Sequence, residues 1–288
     1  MDWARRNKQL LLMLKIDTHQ HFWKYNPTKQ AWINEEMSAI RKDFMPTDLQ
    51  PILNKAGVSG CIAIQADESE AETDFLVALA NDNPFIKGVI GWVDFLAEDI
   101  YDRLAYYAKF EAIKGFRYNL QDKKQRDLML NEEFIRGIFS MNDYDLVYEL
   151  LIHSDQITYA DQLVKHFPEQ VFVLDHIAKP LIKKGEIAKW KKAIIALSKN
   201  ENVYCKISGM ATEADWKNWK YQDLEPYMDV VFSSFGADRV MFGSDWPVCN
   251  LAGDYQRVME IVDRKISDFS VNDQQKFWSA NAIKCYQL

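Results

Sequence analysis

The chain has 288 residues, 48% of them hydrophobic and 13% aromatic, with 35 basic and 42 acidic side chains and a formal charge of −7. A chain of this length buries roughly 75% of its unfolded surface, so a full core forms without metal or disulfide staples. The weakly acidic balance lacks the clustered Lys and Arg that phosphate backbones require, and no apolar run approaches the ~20 residues that span a bilayer; nucleic acid and membrane are not expected as partners, and collagen-like and disordered classes are excluded.

In chain order, Arg5, Arg6 and Lys8 precede an apolar run over 10–14, the outline of a secretory signal. That run is shorter than the ~7–15 residues of an h-region, and Lys15 leads straight into IDTHQH without a small-residue cleavage site. Residues 1–14 read as a short extension, with translation starting at Met1 or Met13, and a cytoplasmic location is expected. From Lys15 onward, apolar β-branched segments at 15–18, 60–65, 88–93, 113–117, 147–153, 171–176, 203–208 and 240–244 read as strands. Helical stretches such as 73–82, 100–110, 131–141, 159–167, 187–199 and 227–235 lie between them, and the tail 272–288 reads as a last helix capped by Ser270 or Asn272. Strands separated by helical patterns imply βαβ units and a parallel sheet. Eight such units match an α/β fold of the (β/α)8 TIM-barrel type, a single domain over 15–288. The rival, an open doubly wound sheet, more often shows a Gly-rich turn after its first strand, where this chain has Thr18, His19, Gln20 and His21. Cys61, Cys205, Cys249 and Cys285 form no CxxC pair and read as buried reduced thiols.

The five histidines carry the chemical signal. His19 and His21 stand two apart at the end of the first strand, so both imidazoles face one side. His153 closes the fifth strand candidate, His176 the sixth, and Asp245 follows the eighth. The C-terminal ends of barrel strands form the active-site face, so these five side chains are expected to meet there. His166, in a helix ending near Pro168, reads as a surface residue. Taken singly each has a plain reading: a solvated HxH pair, a strand cap, a satisfied core histidine, a turn aspartate in Ser244–Pro247. Together, imidazoles and a carboxylate suit a borderline divalent ion, and a carboxylate beside histidines can also act as a general base.

IDTHQHFW at 16–23, IKGFR at 113–117, LDHIAKP at 174–180 and VMFGSDWPVCNL at 240–251 resemble the amidohydrolase superfamily. More narrowly they resemble its sugar-lactonase branch, the L-fuconolactonases and L-rhamnonolactonases, over nearly all the chain from Lys15. The resemblance implies a (β/α)8 barrel that opens sugar-acid lactones to free aldonic acids. It places His19, His21, His176 and Asp245 in the active site as the ligands if a metal is bound, with His153 where several superfamily members carry another histidine. One divalent ion, zinc first, and metal-free catalysis with the histidines as donors are both left open; two ions are not expected, because strand four offers only Lys114 and Arg117, and a guanidinium has no lone pair to give.

The catalytic set is accordingly Asp245 as general base with His176 and His153. Arg117, Lys114, Trp32, Trp92 and Lys179 are candidates for substrate contact. Lys114 and Arg117 are three apart, so a regular strand cannot aim both inward; Arg117, at the strand end, is preferred. Flat indole faces at Trp32 and Trp92 suit the C–H faces of a sugar ring. Gln65 is expected to orient a histidine, and Ser208 is a weaker polar candidate. The alternatives are a metal-dependent decarboxylase of the same superfamily and a non-catalytic carbohydrate-binding barrel. The lactone, its ring size and the oligomeric state stay open.

Overall fold

In a computed structural model of the chain, which describes residues 14–288, eight strands form one sheet in which each pairs in parallel with the next in sequence. They are β1 (Ile16–Gln20), β2 (Gly60–Ile64), β3 (Ile86–Gly91), β4 (Ile113–Asn119), β5 (Val147–Leu151), β6 (Phe172–Leu174), β7 (Val203–Ile207) and β8 (Val240–Phe242). The two edges meet: the His21 N–H donates to the Trp246 carbonyl (2.7 Å) and the Asp245 N–H to that of His19 (2.8 Å). The expected (β/α)8 barrel is therefore present. Apart from Leu14, the expected extension lies outside the described residues.

The strands are apolar on both faces because helices cover the outside and side chains fill the inside. The helices are α1 (Pro46–Ala56), α2 (Glu70–Asp82), α3 (Ile100–Tyr107), α4 (Glu132–Phe139), α5 (Ile157–His166), α6 (Ala188–Leu197), α7 (Tyr221–Phe235), α8 (Tyr255–Ile266), α9 (Val271–Gln275) and α10 (Asn281–Tyr286). The sequence reading did not include α1 and α8. Both start where physical chemistry favours it: α1 has Pro46 at its first position, and Asp254 accepts the Arg257 N–H (2.8 Å) ahead of α8. Ser270 is the cap actually used at the tail, accepting the Asp273 N–H (3.1 Å). The expected single last helix is instead α9 and α10 joined by a π-turn over Lys276–Ala280.

Two apolar layers result. The larger lies between sheet and helices. The smaller fills the barrel interior with Ile16, Ile62, Ile64, Ile90, Val147, Val173 and Met241, and Ala282, Cys285 and Tyr286 of the C-terminal segment pack into it. All four cysteines are free and buried. No helix among the described residues is long and apolar enough to cross a membrane.

Candidate active site

The C-terminal ends of β1, β6 and β8 depart from regular strand, and these departures build the site. Asp17, fully buried on β1, accepts the backbone N–H of Ser244 (2.8 Å) and of His19 (3.1 Å) on one oxygen and the Tyr255 hydroxyl (3.1 Å) on the other. One carboxylate thus staples the end of β8 to the end of β1. Burial pushes its pKa up to about 6 against the lowering effect of those hydrogen bonds. Just beyond, Asp245 sits at φ +58°, in left-handed backbone that turns its side chain toward the barrel axis.

β6 shows the larger surprise. An extended run was expected to His176, but the strand stops at Leu174 and His176, Ile177, Ala178 and Lys179 all take positive φ, from 45° to 60°. Left-handed backbone costs an L-residue about 1–2 kcal/mol, more for β-branched Ile177. The turn is held by the Lys179 N–H to the His176 carbonyl (2.8 Å) and by the Trp190 indole to the Ile177 carbonyl (2.7 Å). It brings both His176 and Lys179 to one cavity.

Three imidazoles converge on one carboxylate oxygen. Asp245 Oδ1 lies 3.5 Å from Nε2 of His21 and 3.9 Å from Nε2 of His19 and of His176. Each ring is held from behind through Nδ1: His21 by the Ile64 carbonyl (2.9 Å), His176 by the Ser208 hydroxyl (2.8 Å) and His19 by Asp175 (3.2 Å). A carbonyl only accepts, so His21 Nδ1 carries a proton, and Nε2 of the same ring faces the carboxylate. Burial lowers the pKa of His19 well below its usual value and that of His176 to about 4, so both rings are neutral at pH 7. Burial pushes the Asp245 carboxyl up, but His176, His21 and Lys179 outweigh it and hold the group below the usual carboxylate range. Neutral imidazoles tied through Nδ1, beside an ionised carboxylate, are a fitting donor set for a divalent ion, and ligand atoms of His19, His21 and Asp245 lie within 4.8 Å of one another.

Above this cluster opens a cavity of about 330 Å³ lined by His21, Trp32, Gln65, Arg117, His153, His176, Lys179 and Asp245, with Glu213 and Trp216 on its wall. A larger groove of about 510 Å³ between Phe44, Lys55 and Tyr255 contains no histidine; size alone does not mark the site. His19 lies beneath the cavity, fully buried, its ring 4.3 Å from that of His176 and 5.0 Å from that of His21. Burial, with Lys179 and Arg126 nearby, lowers the His153 pKa. Trp32 is 41% exposed and stands edge-on to Trp23.

Three expectations need correction. Lys114 is not at the site: it stands at the N-terminal end of β4, close to Gly88, and donates to the Gln287 carbonyl of the C-terminal segment (3.2 Å), whereas Arg117 stands nearer the C-terminal end of the strand. Trp92 does not line the cavity but stacks on Tyr118, with ring centres 6.1 Å apart. Gln65 orients no histidine; its amide reaches the Arg117 carbonyl (3.4 Å), and the Ile64 carbonyl holds His21. Arg117 does reach the cavity, with much of its donor fork already engaged by Asp175 (2.9 Å) and the Gln65 carbonyl (2.6 Å). His166 is exposed, as expected.

Sequence reasoning missed Asp17, Glu149, Asp175 and Lys206, all fully buried. Their signal was present: a charged residue inside an otherwise apolar parallel strand, as in VYELL, FVLD or VYCKI, has no water to face and must meet a partner.

Known proteins share this arrangement of chain. The family profile described as Amidohydrolase matches residues 16–288. An L-fucono-1,5-lactonase of Burkholderia multivorans is 34% identical over 286 residues, covering 96% of each chain. An L-rhamnono-gamma-lactonase of Scheffersomyces stipitis is 23% identical over 206 residues, 63% of this chain and 61% of its own. A crystal structure of an amidohydrolase from Burkholderia multivorans with bound zinc superimposes with a TM-score of 0.92 at 34% identity, covering 96% of this chain and 99% of that one.

Proposed function

The chain belongs to the amidohydrolase family, and from that premise we propose that it is a lactone hydrolase that opens a sugar-acid lactone to the free aldonic acid. L-fucono-1,5-lactone is the first substrate to try, on the strength of the 34% identical relative, and an L-rhamnono-lactone the second. The observation that supports this best is the ring of three Nε2 atoms around Asp245 Oδ1 at the floor of a cavity the size of a small sugar.

His19, His21, His176 and Asp245 would hold one divalent ion, zinc first, and such an ion supplies Lewis acidity to the lactone carbonyl. Asp245, ionised at neutral pH, takes the proton of the attacking water and returns it to the ring oxygen as the C–O bond breaks. His176, neutral and fixed by Ser208, orients that carboxylate. His153, on the rim, donates to a substrate oxygen. Lys179 meets the carboxylate formed in the product. Trp32 offers a flat face to the sugar ring, and Arg117, gripping Asp175, gives its remaining donor capacity to a hydroxyl.

Proton release from a panel of sugar lactones, beside CO₂ release from aromatic acids, separates hydrolysis from decarboxylation and from mere binding. Asp245→Asn, folded, is expected to lose at least ~10³ in kcat. Near-parental turnover in that variant would remove Asp245 from its role. Stripping metal with a chelator is expected to abolish turnover and added zinc to restore it; activity that survives stripping returns the site to direct donation by the imidazoles.

A further inference from the structure

Beneath the imidazoles the barrel interior carries charges that the proposed reaction does not use. Lys206 on β7 and Glu149 on β5 are fully buried, with Nζ 2.6 Å from Oε1. The same ammonium lies 3.1 Å from Asp175 Oδ1 and 3.3 Å from His19 Nδ1. From the closed end of the barrel Tyr286, in α10, donates its hydroxyl to Glu149 Oε1 (2.7 Å). Arg117 grips the other oxygen of Asp175 at 2.9 Å.

Two carboxyl groups and two cations therefore form a charge-balanced column inside a ring of Ile, Val and Met side chains. Stability does not account for it, since apolar groups of similar volume commonly replace a buried ion pair without loss. What the column does touch is the back of the site. Lys206 and Arg117 fix Asp175 from two sides, and Asp175 in turn faces His19 Nδ1 at 3.2 Å, so that His19 Nε2 lies 3.3 Å from Arg117 and 3.9 Å from Asp245.

We propose that Tyr286, Glu149 and Lys206 are a positioning column that sets Asp175, and through it the ring of His19, from the far end of the barrel. The inference rests on the reading of His19 as one of the groups that hold a divalent ion. Partners behind metal-holding histidines are commonly worth ~10–100-fold in metal affinity or activity.

The test uses the full chain. Tyr286→Phe keeps the ring in its apolar layer and removes one hydroxyl; a Lys206→Met/Glu149→Gln double variant removes both charges together, so neither is left unpaired. Zinc affinity, measured by competition with a chromophoric chelator, is expected to fall at least ~10-fold in the double variant and ~3-fold in Tyr286→Phe. On the lactone, kcat is expected to fall by similar factors with KM held, and the thermal midpoint of Tyr286→Phe to stay parental. Zinc affinity and kcat within twofold of the parent in both variants would overturn the proposal, as would a rise in KM alone. If the double variant does not fold, Tyr286→Phe decides by itself. A chain that opens no lactone yet loses zinc affinity in these variants sinks the proposed reaction and keeps the column.

Discussion

The two ends of the same eight strands obey different rules. Toward their N-terminal ends the inward positions are Ile16, Ile62, Val147, Val173 and Met241, and the C-terminal segment covers them with Ala282, Cys285 and Tyr286. At their C-terminal ends the inward positions are His19, Arg117, Asp175 and Ser208, all buried, and the chain just beyond holds five non-glycine residues at positive φ, His176 to Lys179 and Asp245. Apolar packing and regular backbone stabilise one end; desolvated charge and left-handed backbone cost free energy at the other. The lesson is a division of labour along each strand, in which the lower half and the outer layer offset what the upper half needs to hold its side chains in place.

The largest expected effect breaks that division from below. Ile62 is fully buried in the interior layer, and Ile62→Ala is expected to lower unfolding free energy by about 2–5 kcal/mol in urea titrations, with kcat unchanged where the variant is folded. A kcat that fell in step with stability would mean the two ends are not separable. A smaller effect, at most about 3 kcal/mol, is expected at the upper rim. Glu72, 5% exposed at the start of α2, accepts the Ala66 N–H (3.1 Å), and burial raises its pKa from 4.5 to about 7. The folded chain then binds this proton more tightly than the unfolded one, so stability declines as pH rises from about 4.5 to about 7. Glu72→Gln keeps the acceptor and loses the titration, and its advantage over the parent should grow across that window. Parallel stability curves for the two would reject this account.

The same division explains what was legible in the sequence. Strand count, parallel order and the cluster of His19, His21, His176 and Asp245 follow from periodicity and from where histidines fall on strands, because both depend on local spacing. Lys114 differs from Arg117 by height in the barrel: a register shift between β3 and β4 breaks the alternation beside it, and it meets Gln287 at the N-terminal end, which spacing along β4 does not reveal. Trp92 stood beside a strand end, yet an indole there has two faces to choose from, and Tyr118 took it. The left-handed turn at His176–Lys179 could not be read, because it opposes the local preference of Ile177 and is held by Trp190, which is distant in sequence. Asp175 and Lys206 were written in plain view as charges in apolar runs; what was missing was the rule that a charge inside a parallel strand must have a partner across the barrel.

The finest test of the upper end is Ser208→Ala. Ser208 is buried, at 2% exposure, and its hydroxyl stands 2.8 Å from His176 Nδ1. Gly209 follows at φ +62°, where a Cβ would stand 2.6 Å from the same nitrogen, so the back of the His176 ring is closed by backbone on one side and by this one hydroxyl on the other. Removing the hydroxyl leaves the ring in contact but unpinned about its Cβ–Cγ bond, and Nε2 no longer holds its bearing on Asp245. Zinc affinity or kcat should fall ~10–100-fold, about 1.4–2.7 kcal/mol, because the cost arises from a partner that fixes ring and tautomer. The thermal midpoint should barely move, since Ala fills most of the same space. A full-strength Ser208→Ala would mean that packing against Gly209 alone aims the ring, and that the hydrogen bonds behind the imidazoles are not what sets the site.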